Sequence, residues 1–197
     1  MGNDRDSAPG VWEASEFDRL YARWSQPVYR YLVHLIGPGP AADDLYQETW
    51  MKAIERQDQL RDSARFGPWI LRIARNLAFN QGRLGKRRAQ VWAFSSLAGD
   101  GDEEKEDLIA RRGDAKPGPR EEAIRSERRK ILDAALASLE PAVQEMLQLR
   151  YFENLTLAEV ADVLEAPLGT VCSKVHRGLK TIRECMGTQG HSGTQTL

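Results

Sequence analysis

The chain has 197 residues, 41% hydrophobic and 29% charged, with 28 Lys and Arg against 29 Asp and Glu. That length admits one domain or two small ones, and a formal charge of −1 gives no bulk sign of a polyanion partner. No apolar run reaches the roughly 18 residues of a membrane span, and the two cysteines, Cys172 and Cys185, make no disulfide framework.

The N-terminal MGNDRDSAPG lacks a basic-then-apolar leader, and Asp6 stands where a myristoylation signal needs Ser or Thr. A cytoplasmic protein without membrane insertion is expected. Residues 1–12 are polar and read as disordered. From Glu16 to about Ile36 apolar residues recur at helical spacing (Phe17, Leu20, Tyr21, Trp24, then Val28, Tyr31, Leu32, Leu35), and Pro27 predicts a break into two helices. Gly37-Pro38-Gly39-Pro40 is a turn. A helix from Asp43 or Asp44 to about Arg56 follows, with Leu45, Met51 and Ile54 able to face inward. Asp43, Asp44, Gln47 and Glu48 give it an acidic, amide-bearing side. The helix dipole accounts for the two aspartates. Gln47 and Glu48 on the same side suit partner docking.

A further helix runs from Phe66 or Pro68 to about Arg88. Residues 63–99 hold seven Lys and Arg and no acid, whereas residues 100–107 hold six acids. Ile70, Ile73, Ala74, Leu77 and Leu84 form its inward face, leaving Arg72, Arg75, Asn76, Phe79 and Arg83 outward with Asn80 beside them. Lys86, Arg87 and Arg88 extend the charge. Aromatics interleaved with cations suit single-stranded nucleic acid, where bases stack on rings and phosphates pair with arginine. A solvated basic surface with Phe79 packed on a neighbouring helix is the plainer alternative. Trp69, taken alone, suits a core position.

Residues 95–122 are rich in Gly, Pro and charge and read as a flexible linker, because they bury too little apolar surface to order themselves. Beyond it Ile131, Leu132, Ala135, Leu136 and Leu139 form one stripe. Pro141 restarts a helix through Val143, Met146 and Leu147. Thr156 and Glu159 form a capping box that opens a short helix with Leu157, Val160, Ala161 and Leu164 inward. After the Glu165-Ala166-Pro167 turn comes a second helix. Val171, Val175, Leu179 and Ile182 line one face, with Ser173, Arg177 and Lys180 nearly opposite and Thr170 and Lys174 on the flanks. One side buried and one basic is what a major-groove recognition helix requires, though an ordinary amphipathic hairpin shares the pattern. Residues 187–197 read as a disordered tail. The expected architecture is all-α, two small helical domains joined by a flexible linker, the C-terminal one ending in a helix-turn-helix.

The words ADDLYQETW, FGPWILRIARNLAFNQGR, SLEPAVQEMLQLRYFENLTLAEVADVL and APLGTVCSKVHRGLKTIR, in that order, resemble the extracytoplasmic-function (group IV) sigma factors of bacterial RNA polymerase. The resemblance covers residues 14–92 and 126–185. It implies a region 2 domain over 13–92, a linker over 93–125, a region 4 domain over 126–186 and a tail over 187–197. It implies an alternative sigma factor that binds core polymerase, at the large-subunit coiled-coil clamp and the flap, and directs promoter-specific initiation. Asp44, Leu45, Gln47, Glu48 and Trp50 would dock on the clamp. Trp69, Arg72, Arg75, Asn76, Phe79, Asn80, Arg83, Lys86, Arg87 and Arg88 would recognise and open the −10 element. Thr170, Ser173, Lys174, His176, Arg177 and Lys180 would read the −35 duplex. An anti-sigma factor is a further expected partner.

Three departures stand out. Asn80 replaces an aspartate common in relatives, Cys172 replaces a usual Lys or Arg, and Gly178 replaces an alanine. No catalytic residue, cofactor or metal is expected. Cys172 and His176 share a helix face, but Cys185 and His191 are poor candidates to complete a zinc site. A stand-alone helix-turn-helix regulator would explain residues 126–185 and leave the acidic helix and the Phe79 patch unused.

Overall fold

In a computed structural model of the protein, the described residues are Trp12, 14–60, 62–80 and 119–189. Among them are seven α-helices and no strand, so the expected all-α class holds. We number them α1 (Ala14–Ile36), α2 (Pro40–Glu55), α3 (Phe66–Asn80), α4 (Pro119–Ala137), α5 (Pro141–Leu147), α6 (Leu157–Leu164) and α7 (Leu168–Gln189). They gather into two compact units. The first comprises the described residues within Met1–Ala89 together with Glu145–Val171; the second comprises those within Gln90–Gln144 together with Cys172–Leu197.

In the first unit α1, α2 and α3 pack on one another, and α6 packs on α3. Val28, Tyr31, Leu32, Leu45, Phe66, Ile70 and Leu71 are fully buried there. Contrary to the expected break, α1 is a single helix with Pro27 inside it. A proline deletes one N–H donor. Val28, Tyr31 and Leu32 sit in the core directly after it, which keeps the second half seated. Gly39, at φ 129°, turns the chain into α2, which opens at Pro40, earlier than the aspartates suggested. Proline at that position surrenders only an N–H that has no helical partner. Trp12, within the stretch read as disordered, is seated: its backbone N–H donates to Gln57 Oε1 at 3.0 Å and its ring meets Phe66 edge-on at 5.4 Å.

At Gly67 α3 lies against the Trp24 side chain of α1. A Cβ there would fall 2.1 Å from the Trp24 ring. Beyond α5 the chain makes a π-turn, Gln148–Phe152, that periodicity did not reveal. The capping box forms as read, with Thr156 Oγ1 accepting from Glu159 N–H at 3.2 Å and Glu159 Oε2 accepting from Thr156 N–H at 2.7 Å. Glu165 then adopts a left-handed φ of 51°, and Ala166 N–H donates to Ala161 O at 3.0 Å, a Schellman closure.

The second unit buries Ala135, Leu136, Leu139, Val143 and Val175. Pro119–Arg125, expected in the 93–125 linker, begins α4, and Gly187–Gln189, expected in the tail, ends α7. The greater part of the linker, residues 93–118, and the rest of the tail lie outside the described residues.

Candidate nucleic-acid interface

On α3 the core takes Phe66, Trp69, Ile70, Leu71, Ile73, Ala74 and Ala78. Arg72, Asn76, Phe79 and Asn80 remain exposed, with Phe79 at 41%. Phe79 is thus partly open to solvent. Arg75 departs from the expected outward face. It is half-buried, its Nε donates to Glu145 Oε1 at 2.9 Å, and its guanidinium carbon lies 4.3 Å from the Phe79 ring centroid. Trp69 is only 9% exposed. Its edge still helps line a groove of about 460 Å³ with Leu60, Arg65, Pro68, Arg72 and Asp162. Arg83, Lys86, Arg87, Arg88 and Leu84 lie outside the described residues.

Tyr31, buried under this face, donates its hydroxyl to the same Glu145 Oε1 at 2.7 Å. Burial and the neighbouring carboxylate hold its phenol well above the usual range. Arg30 grips Glu153 with both ends of its fork, Nε to Oε1 at 3.1 Å and Nη2 to Oε2 at 2.8 Å, and Arg65 pairs with Asp162. These pairs cross more than ninety residues of sequence in two cases, and no local pattern carries them.

The α2 surface differs from expectation in detail. Asp44 and Gln47 are exposed and Glu48 is half-buried, but Leu45 and Trp50 lie in the core. Met51 and Ile54, expected inward, are 61% and 48% exposed. The inward stripe is Ala42, Leu45, Thr49 and Ala53, at i, i+3, i+7 and i+11. Thr49 tolerates the core because its hydroxyl donates to Leu45 O at 2.7 Å. The outward strip is thus Asp44, Gln47, Glu48, Met51 and Ile54. Beside it Tyr29 donates to Asp43 Oδ1 at 3.1 Å, and Tyr46 stacks edge-on against Tyr29.

Along α7 Val171 and Val175 are buried, Leu179 and Ile182 half-buried, and Thr170, Ser173, His176, Arg177 and Lys180 exposed. Lys174 is half-buried and its Nζ reaches Glu140 Oε2 at 3.1 Å within the second unit. Arg177 Nε donates to Ser173 O at 3.3 Å, folding part of its reach back along the helix. Thr170 belongs to the first unit and the other five to the second. Cys172 and Cys185 are half-buried and form no disulfide.

An arginine-aromatic strip on α3 and a basic amphipathic α7 are surfaces of the kind that DNA-binding transcription factors carry, and the family comparison defines that class. Residues 20–88 match the Sigma-70 region 2 model and residues 135–184 the Sigma-70 region 4 model, together more than half of the chain. The chain belongs to the sigma-70 family. It is a sigma factor of the extracytoplasmic-function type, and it directs transcription initiation.

The ECF sigma factor BldN of Streptomyces coelicolor is 30% identical over 171 residues, covering 86% of this chain and 60% of that protein. SigW of Bacillus subtilis is 24% identical over 161 residues, covering 82% and 83%. Thus the chain spans less than two thirds of BldN and most of SigW. Among solved structures, CnrH in complex with the cytosolic domain of CnrY shares the fold at a TM-score of 0.56 and 20% identity, covering 89% and 90% of the two chains. RpoE of Bartonella quintana bound to the anti-sigma factor NepR gives 0.55 and 18%, covering 88% and 98%.

Proposed function

We propose that this chain is a group IV sigma factor acting in the cytoplasm, with region 2 over 13–92, a linker over 93–118 and region 4 over 119–189. The reading rests above all on one observation: Arg72, Asn76, Phe79 and Asn80 are exposed together on α3, with an arginine stacked over the exposed ring. An exposed phenylalanine flanked by cations and amides offers stacking, phosphate pairing and base-edge bonds to one unpaired strand. The −10 element is taken there as single strand, with Trp69 and Arg72 lining the groove and Arg83, Lys86, Arg87 and Arg88 adding charge.

The −35 duplex is read by Thr170, Ser173, His176, Arg177 and Lys180, with Lys174 exchanging Glu140 for a phosphate. Docking on the clamp of core polymerase uses Asp44, Gln47 and Glu48, while Leu45 and Trp50 hold α2 in place from beneath. Flap contact falls to region 4. The anti-sigma factor NepR bound to Bartonella RpoE supports an anti-sigma factor as a further partner. A stand-alone regulator would leave the α2 strip and the α3 strip without a purpose.

Adding the purified chain to bacterial core polymerase tests the reading. Promoter-specific transcription is expected, and Gln47→Ala with Glu48→Ala should abolish core binding while the fold melts unchanged. Tight duplex binding by the chain alone, with no core association, would overturn it.

A further inference from the structure

The groove beside α3 has a floor and a wall, and Trp12 is tied to both. Trp69 and Arg72 of α3 belong to the floor, and Gln59, Leu60, Asp62 and Arg65 to the wall. The core sets the floor, because Phe66 and Trp69 are buried. The wall draws less from burial. Its two 3₁₀ turns, Gln57–Gln59 and Ser63–Arg65, hold no buried residue, and segments with few buried contacts open at low cost. Gln57 is the pivot of the first turn. Its carbonyl accepts from Leu60 N–H at 3.2 Å, and its side-chain Oε1 accepts from the backbone N–H of Trp12 at 3.0 Å. The Trp12 ring meets Phe66 and Trp69 edge-on, at 5.4 and 6.0 Å between centroids, and stacks on Phe17 of α1 at 6.0 Å. We infer that Trp12 is a positioning residue for strand capture, fixing the Gln57–Leu60 turn against α3 so that the groove keeps its width for an unpaired strand. The inference rests on the assignment of this groove to the −10 strand.

Trp12 stands ahead of residues 20–88, the stretch that matches region 2, and it need not touch DNA to act on the groove. A wall that orders only when the strand arrives subtracts that ordering from the affinity, whereas a wall already fixed subtracts nothing. Two contacts of different kinds do the fixing. The ring contact needs an aromatic side chain at position 12, and the hydrogen bond needs an acceptor on the side chain at position 57. Each can be removed or kept separately, which distinguishes positioning from general support of the fold.

The test uses holoenzyme assembled from the full chain and bacterial core polymerase, with permanganate reactivity of −10 thymines as the measure of opening. Trp12→Ala and Gln57→Leu should each reduce opening roughly fivefold, the factor that one net hydrogen bond or one ring pair carries. Trp12→Phe keeps an aromatic edge and Gln57→Glu keeps the acceptor, so both should open within about twofold of the unaltered chain. Core affinity should stay within about twofold in all four variants, because the α2 strip is unchanged. Opening and core affinity falling together would make Trp12 a support of the fold alone and overturn the inference. So would a loss of opening that Trp12→Phe and Gln57→Glu share. Normal opening by Trp12→Ala and Gln57→Leu, with Phe79→Ala impaired, overturns it as well. Normal opening by all three overturns the strand assignment of α3 from which it starts. Gln57→Leu changes one half-buried side chain of a turn, so its result stands even where Trp12→Ala lowers stability.

Discussion

Arg75 stands between two partners, its Nε donating to Glu145 Oε1 at 2.9 Å and its guanidinium carbon 4.3 Å from the Phe79 ring centroid. The ring is thus held by a cation on one side and open to solvent on the other. Exposed cation–π pairs contribute about 0.5–1 kcal/mol, so Phe79 matters little to the fold. It matters far more to a base that stacks on it, at about 1–3 kcal/mol. Phe79→Ala should therefore shift unfolding by less than about 1 kcal/mol and reduce promoter opening by roughly tenfold. Permanganate reactivity of −10 thymines in the polymerase complex reads the second quantity. Normal opening by Phe79→Ala would remove the ring from the strand-binding set.

Gly67 and Trp24 make a tighter prediction about the fold. The Trp24 ring of α1 occupies the space a Cβ on Gly67 of α3 would need. Gly67→Ala must push α1 from α3 or turn the indole, at a cost of about 1–3 kcal/mol. Urea titration should show that loss. Trp24→Leu in the same chain should recover part of it, and additive losses from the two changes would contradict the contact.

Much of this architecture was legible locally. The capping box at Thr156 and Glu159 depends on residues three positions apart and formed as read, and Val171 and Val175 of the α7 stripe are buried as read while Leu179 and Ile182 are only half-buried. What escaped local reading is what distance decides. Pro27 was outvoted by Val28, Tyr31 and Leu32, whose burial needs the opposing helices. The stripe of α2 was misphased because Trp50 and Met51 are both apolar and only tertiary packing chooses between them. Arg75 carries the pattern of an outward cation, and its partner lies seventy positions away. The free surface of α3 is correspondingly narrower than the composition of residues 63–99 suggests.

The Arg30–Glu153 pair predicts an asymmetry. Glu153 also accepts from the buried Gln148 Nε2 at 2.9 Å, so its charge is held by a small network. Removing the fork by Arg30→Ala leaves a buried carboxylate without its bidentate partner, expected to cost about 3–5 kcal/mol. Replacing both residues by apolar ones, Arg30→Met with Glu153→Leu, should cost much less, because no charge then remains to be desolvated. Equal losses in the single and the double variant would show that packing, not charge, governs the site.

His34 supplies a pH prediction. Its Nδ1 is shut off from solvent, and burial lowers the imidazole from 6.5 to about 4. The unfolded chain takes up a proton as the pH falls through about 6.5, whereas the folded chain resists until about 4. Between those values the unfolded state binds more protons, so stability rises with pH across the window and is complete above it. Lowering the pH from 7 to 4.5 should cost on the order of 2 kcal/mol through this group, discounted because the residue is only partly enclosed. His34→Gln cannot titrate, and its melting temperature should fall less steeply over the same range. Parallel melting profiles for the two chains would show that the imidazole is free to charge in the folded state.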